Sequence, residues 1–146
     1  MNSFRKDLER GINIEKEVLS ILKIKYPSAS LVDKWKGYDI WIPEMHCGIE
    51  VKYDPMSTST GNIVIEIEMY NKPSGLMAST AKYWVFYDDH EFRIMAKDDI
   101  INCIFLNQYQ YKSFVGNGDT VSKKAFLVKK EHLFKYGKKI GVNNGR

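Results

Sequence analysis

The chain has 146 residues, a formal net charge of +4 and an apolar fraction of 44%. This length and composition predict one globular domain over residues 1–146 and exclude an intrinsically disordered chain. No apolar run approaches the roughly 20 residues that a membrane-spanning helix needs, and two cysteines are too few for a disulfide framework. We therefore expect a cytoplasmic protein with no membrane partner.

The N-terminal half of the sequence predicts one helix followed by three strands. Residues 4–26 carry apolar side chains at helical spacing, and Pro27 ends that pattern. Apolar runs at residues 39–42 and 49–53 predict two short strands joined by a turn. Residues 62–69 alternate between apolar and polar side chains, which is typical of a strand with one buried face.

The C-terminal half predicts strands at residues 83–87, 92–95 and 125–128, a helix over 97–108, and short helical segments at 76–81 and 131–136. Because strands and helices alternate along the chain, we expect an α/β fold in which a mixed central β-sheet is flanked by helices.

The last part of the chain is basic. Between Lys123 and Arg146 there are eight lysine or arginine residues and one acidic residue, Glu131. We expect a basic tail, flexible from about residue 137, that suits an anionic polymer such as DNA. A solvated tail that aids solubility explains the same charges equally well.

The predicted hairpin carries three charged residues that can act together. Glu50 and Lys52 are two residues apart in a strand, so their side chains project from the same face. If the hairpin turns at residues 45–46, Asp39 falls opposite Lys52 and diagonal to Glu50, within roughly 5–8 Å. Two carboxylates and an ammonium group at this spacing can hold a divalent cation beside a proton-handling group. The alternative is a surface salt bridge on a half-exposed hairpin.

Glu15 is out of place on the first helix. It lies within the arc of that helix that otherwise carries apolar side chains, and a buried carboxylate is costly unless it is paired or bound to a metal. It either reaches solvent where the helix leaves the core or points toward the charged residues of the hairpin.

These residues, in this order, resemble the PD-(D/E)xK nucleases, which are also called restriction-endonuclease-like nucleases. The resemblance rests on Asp39 as the first acid and on Glu50, Val51 and Lys52 as the acid-x-lysine motif. Glu15 is similar to the helix glutamate of archaeal-type Holliday-junction resolvases.

Residues 62–66, 72–76 and 80–85 are similar to small phage-type endonucleases. The resemblance implies a restriction-endonuclease-like core and a metal-dependent DNA endonuclease. It also leaves room for a gene carried by a phage or another mobile element.

The resemblance and the chemistry of phosphodiester hydrolysis both favour Mg²⁺ as the cofactor. Mg²⁺ takes hard oxygen ligands, here the carboxylates of Asp39 and Glu50 and the backbone carbonyl of Val51, with Glu15 acting through water. Lys52 would orient or help deprotonate the attacking water. We expect Mn²⁺ to substitute and Ca²⁺ to bind without supporting cleavage.

Two further groups of residues follow from the resemblance and from charge. Glu66 is a possible additional acid near the site, although Glu68 shares its face and favours an exposed position equally well. The residues expected to contact DNA phosphates are Lys34, Lys36, Lys72, Ser74, Thr80 and Lys82.

Cleaving both strands of a duplex favours a homodimer, and Glu15 and the small size favour branched DNA such as a Holliday junction. The alternatives are an endonuclease of linear duplex DNA and an inactive DNA-binding protein on the same fold.

Overall fold

The structure is a computed structural model that describes residues 3–32, 37–115 and 122–141. The chain forms four α-helices in these ranges: α1 (Ser3–Lys23), α2 (Ser57–Thr60), α3 (Lys97–Leu106) and α4 (Lys130–Leu133). Its strands there are β1 (Ser30–Leu31), β2 (Ile40–Ile42), β3 (Cys47–Tyr53), β4 (Asn62–Met69), β5 (Lys72–Pro73), β6 (Tyr83–Tyr87), β7 (Phe92–Ala96), β8 (Tyr111–Val115), β9 (Ser122–Lys129) and β10 (Lys138–Ile140). Short 3₁₀ turns occupy Gly75–Met77 and Phe134–Tyr136.

The strands form two sheets. The larger has the order β1-β2-β3-β6-β7-β10 and is mixed, because β3 and β6 run parallel whereas its other neighbours are antiparallel. The smaller has the order β5-β4-β9-β8 and is antiparallel throughout. The expected α/β fold with a mixed central sheet is therefore confirmed, whereas the second sheet was not anticipated.

Helix α1 covers one face of the larger sheet. Its buried residues Ile14, Val18 and Leu22 recur every four positions and form one stripe, which packs against Ile40 and Ile49 of the hairpin. Ile12, which belongs to the expected apolar arc, is 39% exposed, so the buried stripe is narrower than the sequence predicts.

The opposite face of the larger sheet belongs to a second core. Trp84 and Phe86 of β6 pack there with Ile63 of β4, Ile100 of α3 and Leu133 of α4. The layers are thus α1, the larger sheet, and a third layer built from the smaller sheet with α3 and α4.

Parallel pairing places a long crossover beside the hairpin. The end of a parallel strand lies far from the start of its partner, so residues 54–82 must return the chain from β3 to the start of β6. This crossover contains α2, β4, β5 and the 3₁₀ turn, and its last residue, Lys82, donates its amide to the Gly48 carbonyl. The crossover therefore brings residues 75–79 next to Glu50.

Several sequence predictions differ from the structure at the chain's edges. The tail expected from about residue 137 instead contributes β10, in which Lys138–Ile140 pair with β7. Strands β1, β5 and β8 were not predicted, because they are short or lack apolar alternation. The loop expected at residues 116–119 lies outside the described residues. Among those ranges, no helix is long and apolar enough to cross a membrane.

Gly48 is required where Tyr38 lies over β3. A Cβ atom at Gly48 would lie 2.3 Å from Cγ of the Tyr38 ring, far inside van der Waals contact. We therefore expect Gly48→Ala to lower the melting temperature, at a cost of about 1–3 kcal/mol or more for overpacking. Thermal unfolding followed by circular dichroism measures this change.

Gly11 provides the matched control, since a Cβ atom there meets nothing within 4 Å. Gly11→Ala in the middle of α1 should raise the melting temperature, because alanine is favoured over glycine in a helix by up to about 1 kcal/mol. Equal stability of Gly48→Ala and the wild type would show that Tyr38 does not cover β3.

Candidate active site

A cleft of about 380 Å³ is lined by all four of the charged residues that the sequence singles out: Glu15, Asp39, Glu50 and Lys52. Its remaining walls come from residues 37–38, Val51 and the crossover segment that includes Gly75 and Ser79. The cleft therefore gathers residues from α1, from the segment just before β2, from β3 and from the chain that precedes β6.

The register of the hairpin corrects the predicted geometry. Ile40 pairs with Ile49 and Ile42 pairs with Cys47, so the four-residue turn is centred between residues 44 and 45. Asp39 lies just before this ladder, where it bonds to Ile49 and Val51, and not, as expected, opposite Lys52. The sequence has no Asn-Gly or Asp-Gly pair to fix the turn. His46 adopts a left-handed conformation (φ 49°) that its residue type does not predict.

Asp39 lies just before the first residue of strand β2 and bonds to strand β3. Its Oδ2 accepts a hydrogen bond from the Val51 amide at 2.8 Å, while its own amide donates to the Ile49 carbonyl at 2.9 Å. The amide and carbonyl of one strand residue point to the same edge. The carbonyl of Val51 therefore lies on the Asp39 side of β3.

Glu50 is a largely buried carboxylate with three polar neighbours. Its side chain is 16% exposed, its Oε2 lies 3.5 Å from Nζ of Lys52, and its Oε1 lies 3.3 Å from Oγ of Ser79. Burial and then the negative charge of Asp39 raise the pKa of Glu50, whereas Lys52 and Ser79 act in the opposite direction. The site holds two acids close together, one of them poorly hydrated.

Lys52 extends from the same face of β3 as Glu50 and reaches solvent. Its side chain is 43% exposed, and its ammonium lies 5.7 Å from the ring centroid of Trp84. Trp84 is the Cα partner of Glu50 on β6, so its buried side chain lies on the same face of the sheet as Glu50.

Glu15 lines the cleft from the other side of β3. It follows the buried Ile14 on α1 and is itself half-buried. Helix α1 covers the face of the sheet on which Val51 lies, and Glu50 lies on the opposite face. Glu15 therefore reaches the cleft at the edge of β3, just before β2 begins. Of the two predicted positions for Glu15, the structure favours the one that faces the hairpin.

Ser79 is a site residue that the sequence did not reveal. The resemblance pointed to Ser74 and Thr80 as hydroxyl donors, but Ser79 between them lines the cleft and contacts Glu50. Thr80 is exposed and lies near Gly37, and the buried Oγ of Ser74 has no hydrogen-bond partner within the described part of the chain. No spacing or periodicity distinguishes one hydroxyl of this segment from another.

The other expected residues lie away from the cleft or outside the described ranges. Lys72 is exposed on β5, and Nζ of Lys82 lies 5.7 Å from the centroid of the Tyr83 ring. Glu66 does not line the cleft, although its backbone carbonyl packs tightly against Gly75, which does. Lys34 and Lys36 fall in the segment that the structure does not describe.

The described residues contain no group of three or more histidine, cysteine, aspartate or glutamate side chains arranged to hold a metal ion. The cleft instead offers two adjacent carboxylates, Asp39 and Glu50, with the Val51 carbonyl beside them. Comparison of the chain with protein-family models, with curated proteins and with solved structures gave no significant match.

Replacing Glu50 by glutamine should raise the melting temperature of the cation-free protein at pH 7. Burial and Asp39 place the folded-state pKa of Glu50 above its ordinary value, so stability falls as pH rises from the unfolded pKa through the folded pKa. Glutamine does not ionise and escapes this loss. Melting curves in EDTA from about pH 4 to about pH 8 should show the difference shrinking toward the acidic end, where Glu50 is protonated.

Glu44 offers the opposite case. Its exposed carboxylate accepts a hydrogen bond from the Ser28 amide at 2.9 Å, which lowers its pKa. The stability that Glu44 contributes is present above its unfolded pKa and is lost as pH falls, so Glu44→Gln should lower the melting temperature at pH 7. If Glu50→Gln lowers it as well, the carboxylate of Glu50 is not destabilised by its surroundings.

Proposed function

We propose that this chain is a divalent-cation-dependent nuclease that hydrolyses phosphodiester bonds of DNA on a restriction-endonuclease-like core. The observation that carries the proposal is the convergence of Asp39, Glu50 and Lys52 with Glu15 in one cleft. A central strand with an antiparallel neighbour on one side, a parallel neighbour on the other and a helix across one face is consistent with that core.

The donor set suits Mg²⁺ or Mn²⁺. Mg²⁺ is typically bound by one or two carboxylates and keeps several waters for exchange with substrate phosphate, so it needs no cage of three or more protein side chains. Asp39 and Glu50 would hold it, with the Val51 carbonyl as a third oxygen. A bound cation would offset the charge of the phosphate and lower the pKa of a water molecule.

Lys52 supplies the positive charge that the reaction needs on the open side of the cleft. Its ammonium has three N–H donors and only Glu50 as an ion-pair partner among the described acids. It can therefore donate a hydrogen bond to an attacking water and another to a phosphate oxygen as negative charge develops there.

Glu15 completes the acidic wall from α1. It approaches from the side of β3 opposite to Lys52, so it would accept hydrogen bonds from waters between the acid pair and the helix. This placement favours a role through water over direct contact with the phosphate.

DNA is the proposed polymer. The basic C-terminal segment, with Lys72 and Lys82, would contact phosphates without reading sequence. One cleft per chain cuts one strand, so we propose that two copies act together on a duplex, with branched DNA as the favoured substrate.

Ca²⁺ should stabilise the protein if the acid pair binds a cation. A ligand that binds only the folded state adds about 2.7 kcal/mol at a concentration of 100 times its Kd, which raises the melting temperature by several degrees. The double variant Asp39→Asn with Glu50→Gln should lose this shift. An equal shift in the variant would place the bound calcium elsewhere.

Lys52→Met should bind DNA in Ca²⁺ but cleave it about 10²–10⁴-fold more slowly in Mg²⁺ or Mn²⁺, the usual contribution of a positioned proton-handling group. Cleavage of labelled DNA under single-turnover conditions measures the rate. Lys23→Met removes an exposed charge at the end of α1, away from the cleft, and controls for the loss of one positive charge.

Linear duplex, single-stranded, supercoiled and four-way-junction DNA should be compared side by side, with sedimentation of the free protein to give its oligomeric state. Preferential cutting of the junction supports the branched-DNA proposal, and preferential cutting of linear duplex removes it. Binding without cleavage of any substrate would make the chain an inactive DNA-binding protein.

A further inference from the structure

Ser79 lies where three parts of the cleft meet. Its side chain is buried, and its hydroxyl oxygen lies 3.0 Å from the carbonyl of Gly37, 3.3 Å from Oε1 of Glu50 and 3.1 Å from the amide of Ala81. The hydroxyl accepts from the Ala81 amide, and it can donate its single proton to either Gly37 or Glu50.

The backbone around Ser79 is held at the same point. The Thr80 amide donates to the Gly37 carbonyl at 3.1 Å, so two groups of the crossover fix the residue that lies two positions before Asp39. The carbonyl of Ser79 accepts a hydrogen bond from the ammonium of Lys97, the first residue of α3. Ser79 is thereby tied to a helix that is itself anchored in the core through Ile100.

We propose that Ser79 is a positioning residue for the acid pair. Its hydroxyl links the backbone that carries Asp39 to the carboxylate of Glu50, and so fixes how far apart the two acids stand. This inference rests on the proposed function, since the distance between the acids matters because a cation binds between them.

The physical need for such a restraint is clear from the charges. Asp39 and Glu50 both line the cleft, the negative charge of Asp39 acts on Glu50, and the ammonium that lies 3.5 Å from Glu50 belongs to the partly exposed Lys52. Two like charges in a poorly hydrated place move apart unless other groups hold them. Groups that orient metal-binding side chains typically change metal affinity 10- to 100-fold when they are removed.

The test measures Ca²⁺ affinity by titration calorimetry in Ser79→Ala. We expect binding to weaken 10- to 100-fold. Ser57→Ala is the matched control, because Ser57 is also buried and its hydroxyl also donates to a backbone carbonyl, that of Asp54 at 2.8 Å, but it does not line the cleft. Ser79→Thr keeps the hydroxyl and should recover most of the affinity.

A second readout does not need the cation. The ¹³C resonance of the Glu50 carboxyl carbon should shift in Ser79→Ala without calcium and stay in place in Ser57→Ala. Unchanged calcium affinity and an unmoved resonance in Ser79→Ala would overturn the inference and leave the nuclease proposal standing. If the wild-type protein binds no Ca²⁺, the proposed function fails and this role for Ser79 fails with it.

Discussion

The parallel pairing of β3 with β6 is the constraint on which the rest of the fold depends. Parallel neighbours cannot be joined by a tight turn, so the chain must leave the sheet at Tyr53 and return to it at Tyr83. The smaller sheet begins within that excursion, and the second core forms between it and the larger sheet. The same return path lays Ser79 and Gly75 against β3, which turns a hairpin with three charges into a walled cleft.

The ionised form of Glu50 in this cleft lowers the stability of the folded protein. Glu50 lies on a face whose neighbours, Trp84 and Phe86, are buried aromatic residues, and the negative charge of Asp39 acts on it. A buried carboxylate beside a second one is unfavourable in the free protein, and the surrounding contacts with Ser79 and Lys52 only partly offset it. Residues that break the packing rule in this way are typical of sites selected for binding and not for folding.

The sequence predicts which residues form the site better than it predicts how they are arranged. Alternation along a strand is a local property, so the shared face of Glu50 and Lys52 could be predicted, and helical spacing made Glu15 conspicuous. The position of Asp39 beside Val51 depends on a turn whose conformation no residue of the hairpin dictates. The role of Ser79 depends on the path of the crossover, and a single serine carries no pattern that reports such a path.

Short edge strands were missed for a related reason. Strands β1, β5 and β10 contain only two or three residues, too few to show a period, and they exist because longer neighbours offer them backbone partners. The alternation of β4 was predicted with its correct bounds, but its partner β9 lies about sixty residues further along the chain, and local patterns do not choose between partners.

The position at which β2 begins decides whether the cleft can exist. If β2 began one residue earlier in the observed register, the backbone of Asp39 would pair with Glu50. If it began two residues earlier, Tyr38 would pair with Val51. The Val51 amide would then bond to a backbone carbonyl and not to the carboxylate of Asp39, and the Val51 carbonyl would be taken up by the sheet. Because β2 begins only at Ile40, one edge of β3 has no strand partner beside the residues where Glu15 and Asp39 converge. The site lies at that open edge.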